Sequence, residues 1–173
     1  MLKGKAWKFG DDISTDHIAP GRYFHLRSDL PELAKHVLED AVPGFVSKVR
    51  ALSGAGEGKP ILVAGTNIGL GSSREHAPVV IKMSGVGAIL AKSAARIFFR
   101  NAINQGVPVL LCNTDEISDG DALEIDLTGG KITDVTSGTT LTCSKMPPIM
   151  SAILEEGGLI PYIQRHKGLI LTS

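Results

Sequence analysis

The stretch Gly65 to Glu75 reads GTNIGLGSSRE, and His76, Ala77 and Pro78 follow it directly. Ser72, Ser73, Arg74, Glu75 and His76 set two hydroxyls, a cation, a carboxylate and an imidazole side by side. Gly65, Gly69 and Gly71 precede them, and glycine lets a backbone turn sharply and approach a ligand closely. The apolar run Ile61-Leu62-Val63-Ala64 leads in as a buried strand. Ser72-Ser73-Arg74-Glu75 also fits the capping box that opens a helix. A strand, a glycine loop and a helix start aim backbone N–H groups at one point, which suits an anion. Arg74 adds a planar fork that matches a carboxylate or phosphate. The same pattern also serves as a plain structural turn with a serine cap, so taken alone it leaves both readings open. Pro78 cannot sit deep in a helix, which keeps Ser72 to His76 at the helix entrance.

Two further stretches carry groups capable of chemistry. Ser14-Thr15-Asp16-His17-Ile18 is dense in polar side chains. Its first three residues suit hydrogen bonds to a turn backbone. A functional reading sets Asp16 and His17 near the site; on an extended strand neighbours face opposite ways and would not pair with each other. Gly21 to Asp29, GRYFHLRSD, gathers Arg22, Tyr23, His25 and Arg27 in a short loop. That is either solvated loop charge or a loop that closes over an acidic ligand.

Composition bounds the rest. The chain has 173 residues, 43% hydrophobic and 21% charged, which fits one soluble domain with a real core. Lys+Arg and Asp+Glu both number 18, so no positive field advertises nucleic acid. No apolar run reaches membrane-span length, and Met1 to Lys5 leads into no signal-peptide core. Cys112 and Cys143 form no CxxC and cannot hold a zinc or an iron–sulfur cluster alone. They read as two buried thiols of a cytoplasmic protein, with one disulfide left open. Ser53 to Lys59 imitates a phosphate-binding loop, but Ser53 stands where that motif needs glycine, and Pro60 where it needs Ser or Thr.

The elements that must position these groups follow in order. Lys5 to Phe9 is a strand, and Gly10-Asp11-Asp12 a turn. Ser28 or Asp29 caps a helix to about Asp40, with Leu33, Val37 and Leu38 as its buried stripe. A short helix runs from Gly44 to Arg50. Val86 to Ala91 is a buried strand, Ser93 caps a helix from Ala94 to about Asn104, and Val107 to Leu111 is a strand. Arg96 and Arg100 share a face of that helix, a pattern usually solvated. Strands alternating with helices over 61–111 predict a parallel α/β core. Ala122 to Leu127 and Ile132 to Val135 form a hairpin, and Thr139 to Cys143 adds a strand. Pro147-Pro148 opens a helix, Ile149 to Glu156, stopped by Gly157-Gly158.

These residues together resemble the small subunit of the isopropylmalate dehydratase and homoaconitase group, the swivelling domain of the aconitase superfamily. The resemblance runs from Lys3 to Gln164. Its most specific part is GLGSSREHAP, Gly69 to Pro78. Lys5 to Phe9 with Asp16, AKSAARIFFRNAIN from Ala91 to Asn104, and LEEGGLIPY from Leu154 to Tyr162 support it. It implies an α/β fold across residues 1–173: a single swivelling β/β/α domain with a mainly parallel core sheet and a β-hairpin-rich C-terminal part.

The resemblance also implies a reaction, a dehydration and rehydration that moves a hydroxyl between adjacent carbons of a malate-type acid. The expected activity is that of a hydro-lyase isomerising 2-isopropylmalate to 3-isopropylmalate in leucine biosynthesis. A [4Fe-4S] cluster would be held by a separate large subunit and no metal by this chain. Matched to the motif, Ser72 would be the catalytic base, Arg74 would bind a substrate carboxylate, and Ser73 would assist through a hydrogen bond. Asp16, His17, Gly69, Gly71 and His76 would support them. A carbon acid beside a carboxylate needs a positioned base and cations on the developing charge. Arg27 would also contact substrate, where an arginine suits a distal carboxylate, as in homoaconitate, while Phe24 and Leu26 suit an isopropyl group. A homoaconitase-type or other alkylmalate enzyme is therefore the close alternative. A stand-alone carboxylate-binding module on the same fold is the other. The implied partners are a large subunit, in a hetero-oligomer, and a di- or tricarboxylate substrate; no nucleic acid or membrane is expected. An isolated small subunit could self-associate through the face its partner covers.

Overall fold

A computed structural model of the chain describes residues 1–71 and 74–168. Seven strands make one sheet: β1 (Leu2–Lys8), β2 (Ile61–Val63), β3 (Ala88–Ala91), β4 (Val109–Leu111), β5 (Ala122–Asp126), β6 (Lys131–Asp134) and β7 (Thr140–Thr142). Their order is β4-β3-β2-β1-β5-β6-β7. β1 to β4 run parallel, and β5 to β7 are antiparallel. The C-terminal hairpins thus extend the same sheet rather than forming a separate one.

β1 is the pivot. Its second half, Ala6 to Lys8, pairs with β2, while its first half, Leu2 to Lys5, pairs with β5. Each step from β1 to β4 moves one strand in the same direction. Right-handed crossovers then put the connecting helices on one face. Those helices are α3 (Phe45–Gly54), α4 (His76–Ser84) and α5 (Arg96–Asn104). Beneath them lies a core of Phe45, Val49, Leu62, Val80, Ile81, Ile89, Phe98 and Val109. Alternate residues of the same strands, Ile61, Val63, Ala88 and Leu90, join Leu123, Ile125, Ile132 and Leu141 on the other face. β2 and β3 are buried on both sides, which is why they read as unbroken apolar runs. α6 (Pro148–Glu155) and α7 (Leu159–His166) add Ile153 and Tyr162 to this second core.

Several expected boundaries shift for local reasons. The helix from Asp29 to Asp40 is only one turn, α2 (Leu30–Leu33), followed by a 3-10 turn over Ala34–His36. Val37 is extended and ends it, and Leu38 then takes φ +53°, although Leu33, Val37 and Leu38 are all buried as expected. Ser14 to Ile18 is not extended: Thr15–Ile18 forms a helical turn, α1. Ser93 does not cap α5, which opens at Arg96 behind Ala95; its hydroxyl instead accepts from the Asn67 N–H at 2.9 Å. α4 opens at His76, three residues later than the Ser72–Glu75 capping box requires, and its N-cap residue Glu75 makes no side-chain cap among the described residues.

The two edges of the sheet meet. Cys112, just past β4, and Cys143, just past β7, face each other in an antiparallel bridge. The Ser144 N–H donates to the Leu111 carbonyl at 2.8 Å, while the two cysteine N–H groups bond elsewhere, to Ala91 and Gly130. The cysteines are therefore a non-hydrogen-bonded pair, the arrangement that brings side chains closest. Both are free thiols. Burial, and secondarily the neighbouring thiol, pushes Cys112 up to about 12, and burial also raises Cys143. A raised folded-state value favours the folded protein while the thiol stays protonated. That contribution is complete below the ordinary value of 9.0 and fades as pH climbs towards about 12. Iodoacetamide at pH 8 is thus expected to label Cys112 slowly in the folded protein and rapidly in denaturant. Equal rates in the two states would contradict a buried, protonated seam.

Candidate active site

The path of the chain reverses at β1, where β2 lies on one side and β5 on the other. In open α/β sheets the crevice beyond the carboxyl ends at such a point is where ligands bind. Here the parallel ladder continues past the strands. Phe9 N–H donates to Val63 O at 2.7 Å, Gly65 to Gly10 at 3.0 Å, Asp12 to Thr66 at 2.8 Å, Gly69 to Ile13 at 2.7 Å and Thr15 to Leu70 at 2.9 Å. On the opposite side Ile68 N–H donates to Ser93 O at 3.1 Å, and Ala95 N–H to Ile68 O at 2.9 Å. The glycine loop is thereby laced between the loops that follow β1 and β3.

Side chains complete the lacing. The Thr66 N–H donates to the Asp11 carboxylate at 2.6 Å, which holds that carboxyl below its usual range. Asn67, at φ +59°, donates its amide to Asp12 at 3.0 Å. Gly69 shows why this loop needs glycine. Its φ is +78°, and a Cβ there would fall 2.0 Å from the Phe98 ring. Gly71, at φ +106°, would place a Cβ 3.3 Å from the Thr15 hydroxyl.

Arg74 is anchored from below. Its Nη1 donates to Asp16 Oδ1 at 2.8 Å and to the Ala19 carbonyl at 3.1 Å. Helical α1 makes this possible by bringing Asp16 to Arg74, while His17 bonds to Ser14. Ser14 caps α1: its hydroxyl accepts from His17 N–H at 3.1 Å, and its own N–H donates to His17 Nδ1 at 3.0 Å. His17 thus takes the place that Glu or Gln holds in an ordinary capping box. It positions α1 and does not join Asp16. Gly21 lies against the Asp16–Arg74 pair, where a Cβ would stand 3.0 Å from Asp16 Oδ1.

Arg74 borders two openings. One is a cavity of about 320 Å³ lined by Thr15, Gly69, Gly71, Arg74, the start of α5 and Asn101. The other is a narrow cleft shared with Phe24, Arg27, Leu33 and His76. The structure therefore brings Asp16, Gly69, Gly71 and Arg74 together, and sets Arg27 and His76 beside them. Ser72 and Ser73 lie outside the described residues. In the 3-10 segment Gly21–Leu26, Arg22 is engaged internally rather than facing a ligand. It pairs with Asp40 and Glu39 at 2.7 Å, while Tyr23 stacks on His36 at 3.8 Å. Arg27 folds back over the Phe24 ring, 4.7 Å from its centroid, and Phe24 stays 48% exposed.

Sequence reasoning missed Thr15, Asn101 and Arg96 as cavity residues. Thr15 looked like turn polarity, and Arg96 like half of a solvated pair. The readable signal at Arg96 was a cation in the first turn of a helix, where the macrodipole disfavours it. Among the described residues no group of three or more His, Cys, Asp or Glu side chains could hold a metal ion.

Comparison with known proteins now adds to this geometry. The aconitase C-terminal domain model matches residues 35–114. The chain is 56% identical over 165 residues to 3-isopropylmalate dehydratase small subunit 2 of Archaeoglobus fulgidus, covering 95% of this chain and 96% of that one. It is 55% identical to small subunit 1 of the same enzyme from Thermotoga maritima, covering 96% of both chains. The crystal structure of a 3-isopropylmalate dehydratase from Methanocaldococcus jannaschii superposes with a TM-score of 0.86 at 43% identity, over 96% of this chain and 95% of that one.

The Asp16–Arg74 pair is mostly exposed at Asp16, so its contribution to stability is small, about 0.2–1 kcal/mol. Its effect on Arg74 position is the larger one. Asp16→Asn is expected to leave thermal unfolding nearly unchanged and to speed phenylglyoxal modification of Arg74 several-fold, as read by peptide mass spectrometry. An unchanged modification rate would show that Asp16 does not hold Arg74.

Proposed function

The chain belongs to the 3-isopropylmalate dehydratase small-subunit family, and from that premise we propose that it supplies half of an active site completed by a large subunit. The reaction is the isomerisation of 2-isopropylmalate to 3-isopropylmalate through dehydration and rehydration, a step of leucine biosynthesis. The observation that carries this reading is Arg74, tethered by Asp16 and Ala19 at the rim of a cavity whose floor is the glycine loop. A carboxylate is the ligand such a guanidinium fits best.

In this reading Arg74 binds a substrate carboxylate and so fixes the adjacent carbon. Ser72 takes the proton from that carbon, and Ser73 supports it by a hydrogen bond. A serine hydroxyl is a weak base, so it depends on nearby N–H groups and cations to carry charge. A [4Fe-4S] cluster held by the large subunit would supply the Lewis acid for departure of the hydroxyl. Cys112 and Cys143 pair across the sheet seam and neither lines the cavity. The small subunit acts as one swivelling domain in a cytoplasmic hetero-oligomer. Among the described residues no helix is long and apolar enough to cross a membrane.

The preference for an isopropyl over a carboxylate substituent rests on Phe24 and Arg27. Arg27 is folded onto the ring it stacks with, leaving the exposed Phe24 as the apolar contact. The test is anaerobic reconstitution with the large subunit and turnover of isopropylmalate and of homoaconitate. Ser72→Ala is expected to abolish turnover, about 10²-fold or more for loss of a positioned base, with assembly intact. Arg27→Ala should leave isopropylmalate turnover within about threefold. Near-normal turnover by Ser72→Ala would overturn the base assignment. A loss confined to homoaconitate in Arg27→Ala would instead favour the homoaconitase-type reading.

A further inference from the structure

The 320 Å³ cavity has two cationic walls. Arg74 stands on the glycine-loop side. Arg96, the first residue of α5, lines the other side together with Ala95, Ile97, Phe98 and Asn101. We propose that the first turn of α5 is the far wall of the substrate site, with Arg96 binding the second carboxylate of the malate-type acid. The proposal rests on the functional reading above and adds a specificity-determining residue to it.

Three observations converge on Arg96. Its guanidinium makes no ion pair or hydrogen bond with a described residue, a state it shares with Arg50 and Arg100, but of these three it alone lines the cavity. It occupies the first position of a nine-residue helix, where the positive end of the dipole opposes a cation. That arrangement is unfavourable until an anion arrives between the guanidinium and the helix. The cavity it borders also has the mixed chemistry of the ligand. Arg96, Asn101 and Thr15 supply polar groups, while Ala95, Phe98 and Ile97, 53% exposed, supply apolar surface. A dicarboxylate with one branched substituent needs two anion contacts and an apolar wall. Arg100, one turn further along the same face, is absent from the cavity lining and serves as an internal control.

The experiment compares wild type, Arg96→Gln, Arg96→Lys and Arg100→Gln, each reconstituted with the large subunit. Assembly is followed by gel filtration, and KM and kcat for isopropylmalate are measured separately. Arg96→Gln is expected to raise KM about ten- to hundred-fold, the range for losing a charge-assisted contact. Arg96→Lys should recover part of the loss, because it keeps the charge but not the fork. Arg100→Gln should match wild type. A KM unchanged in Arg96→Gln overturns the proposal. So does a loss of assembly with normal KM in the assembled fraction, which would make this turn a docking patch. If wild type turns over no isopropylmalate, the functional reading fails first. The clamp is then judged from the Kd of malate for the assembled protein, which must weaken in Arg96→Gln; an equal Kd overturns it.

Discussion

Everything at the site depends on a parallel ladder that does not stop where its strands stop. β2 and β3 are short, yet the hydrogen bonding of β1 to β3 runs on through Gly10, Thr66, Ile68 and Leu70 to Ala95. This holds the glycine loop from both sides through its backbone, and the Asn67 amide on Asp12 adds to it. Ile68, 2% exposed, adds an apolar pin into the core beneath the helices. The consequence is that the described part of the loop, up to Gly71, is held on both sides beside the cavity that Arg74 borders. Glycine at 69 follows from the same constraint, because the laced backbone passes too close to Phe98 for any Cβ.

A second layer of organisation turns loops into positioning devices. The capping box at α1 turns a polar pentapeptide into a helical turn, and that turn aims Asp16 at Arg74. The network of Arg22, Tyr23, His36, Glu39 and Asp40 ties the loop over 21–29 to the segment behind it. Tyr23, His36 and Arg22 together hold Glu39 below its usual range despite its burial. With that segment tied down, Phe24 and Arg27 are the side chains left facing the Arg74 region. The reading of substrate preference rests on this division of labour within one short loop.

Much of the fold was legible because its signals are local. Apolar runs marked β2, β3 and β4; Gly and Pro marked the ends of α5, α6 and the hairpin. The parallel core followed from strands alternating with helices. The misses came where a tertiary partner overrode a local rule. Ser93 has the sequence of a helix cap, but the Asn67 N–H claims its hydroxyl. Leu38 fits a helical stripe, yet it is buried at φ +53° by the turn into the next segment. His17 was placed with Asp16 near the site because its capping role requires helical geometry that a strand reading hides. Arg96 was weighed as surface charge because its pairing with Arg100 on one helix face outweighed the signal of a cation in the first turn. The family resemblance supplied the roles of Ser72 and Arg74, which spacing alone left balanced against a plain turn.

The central claim is that the cavity bordered by Arg74 is this chain's half of a shared active site. The most direct test is turnover of isopropylmalate by Arg74→Lys reconstituted anaerobically with the large subunit, with assembly confirmed by gel filtration. Lysine keeps the charge but loses the fork that binds a carboxylate in two places. The account predicts an assembled complex with isopropylmalate turnover reduced by about 10²-fold or more. An assembled complex with near-normal turnover would contradict it and move the substrate elsewhere.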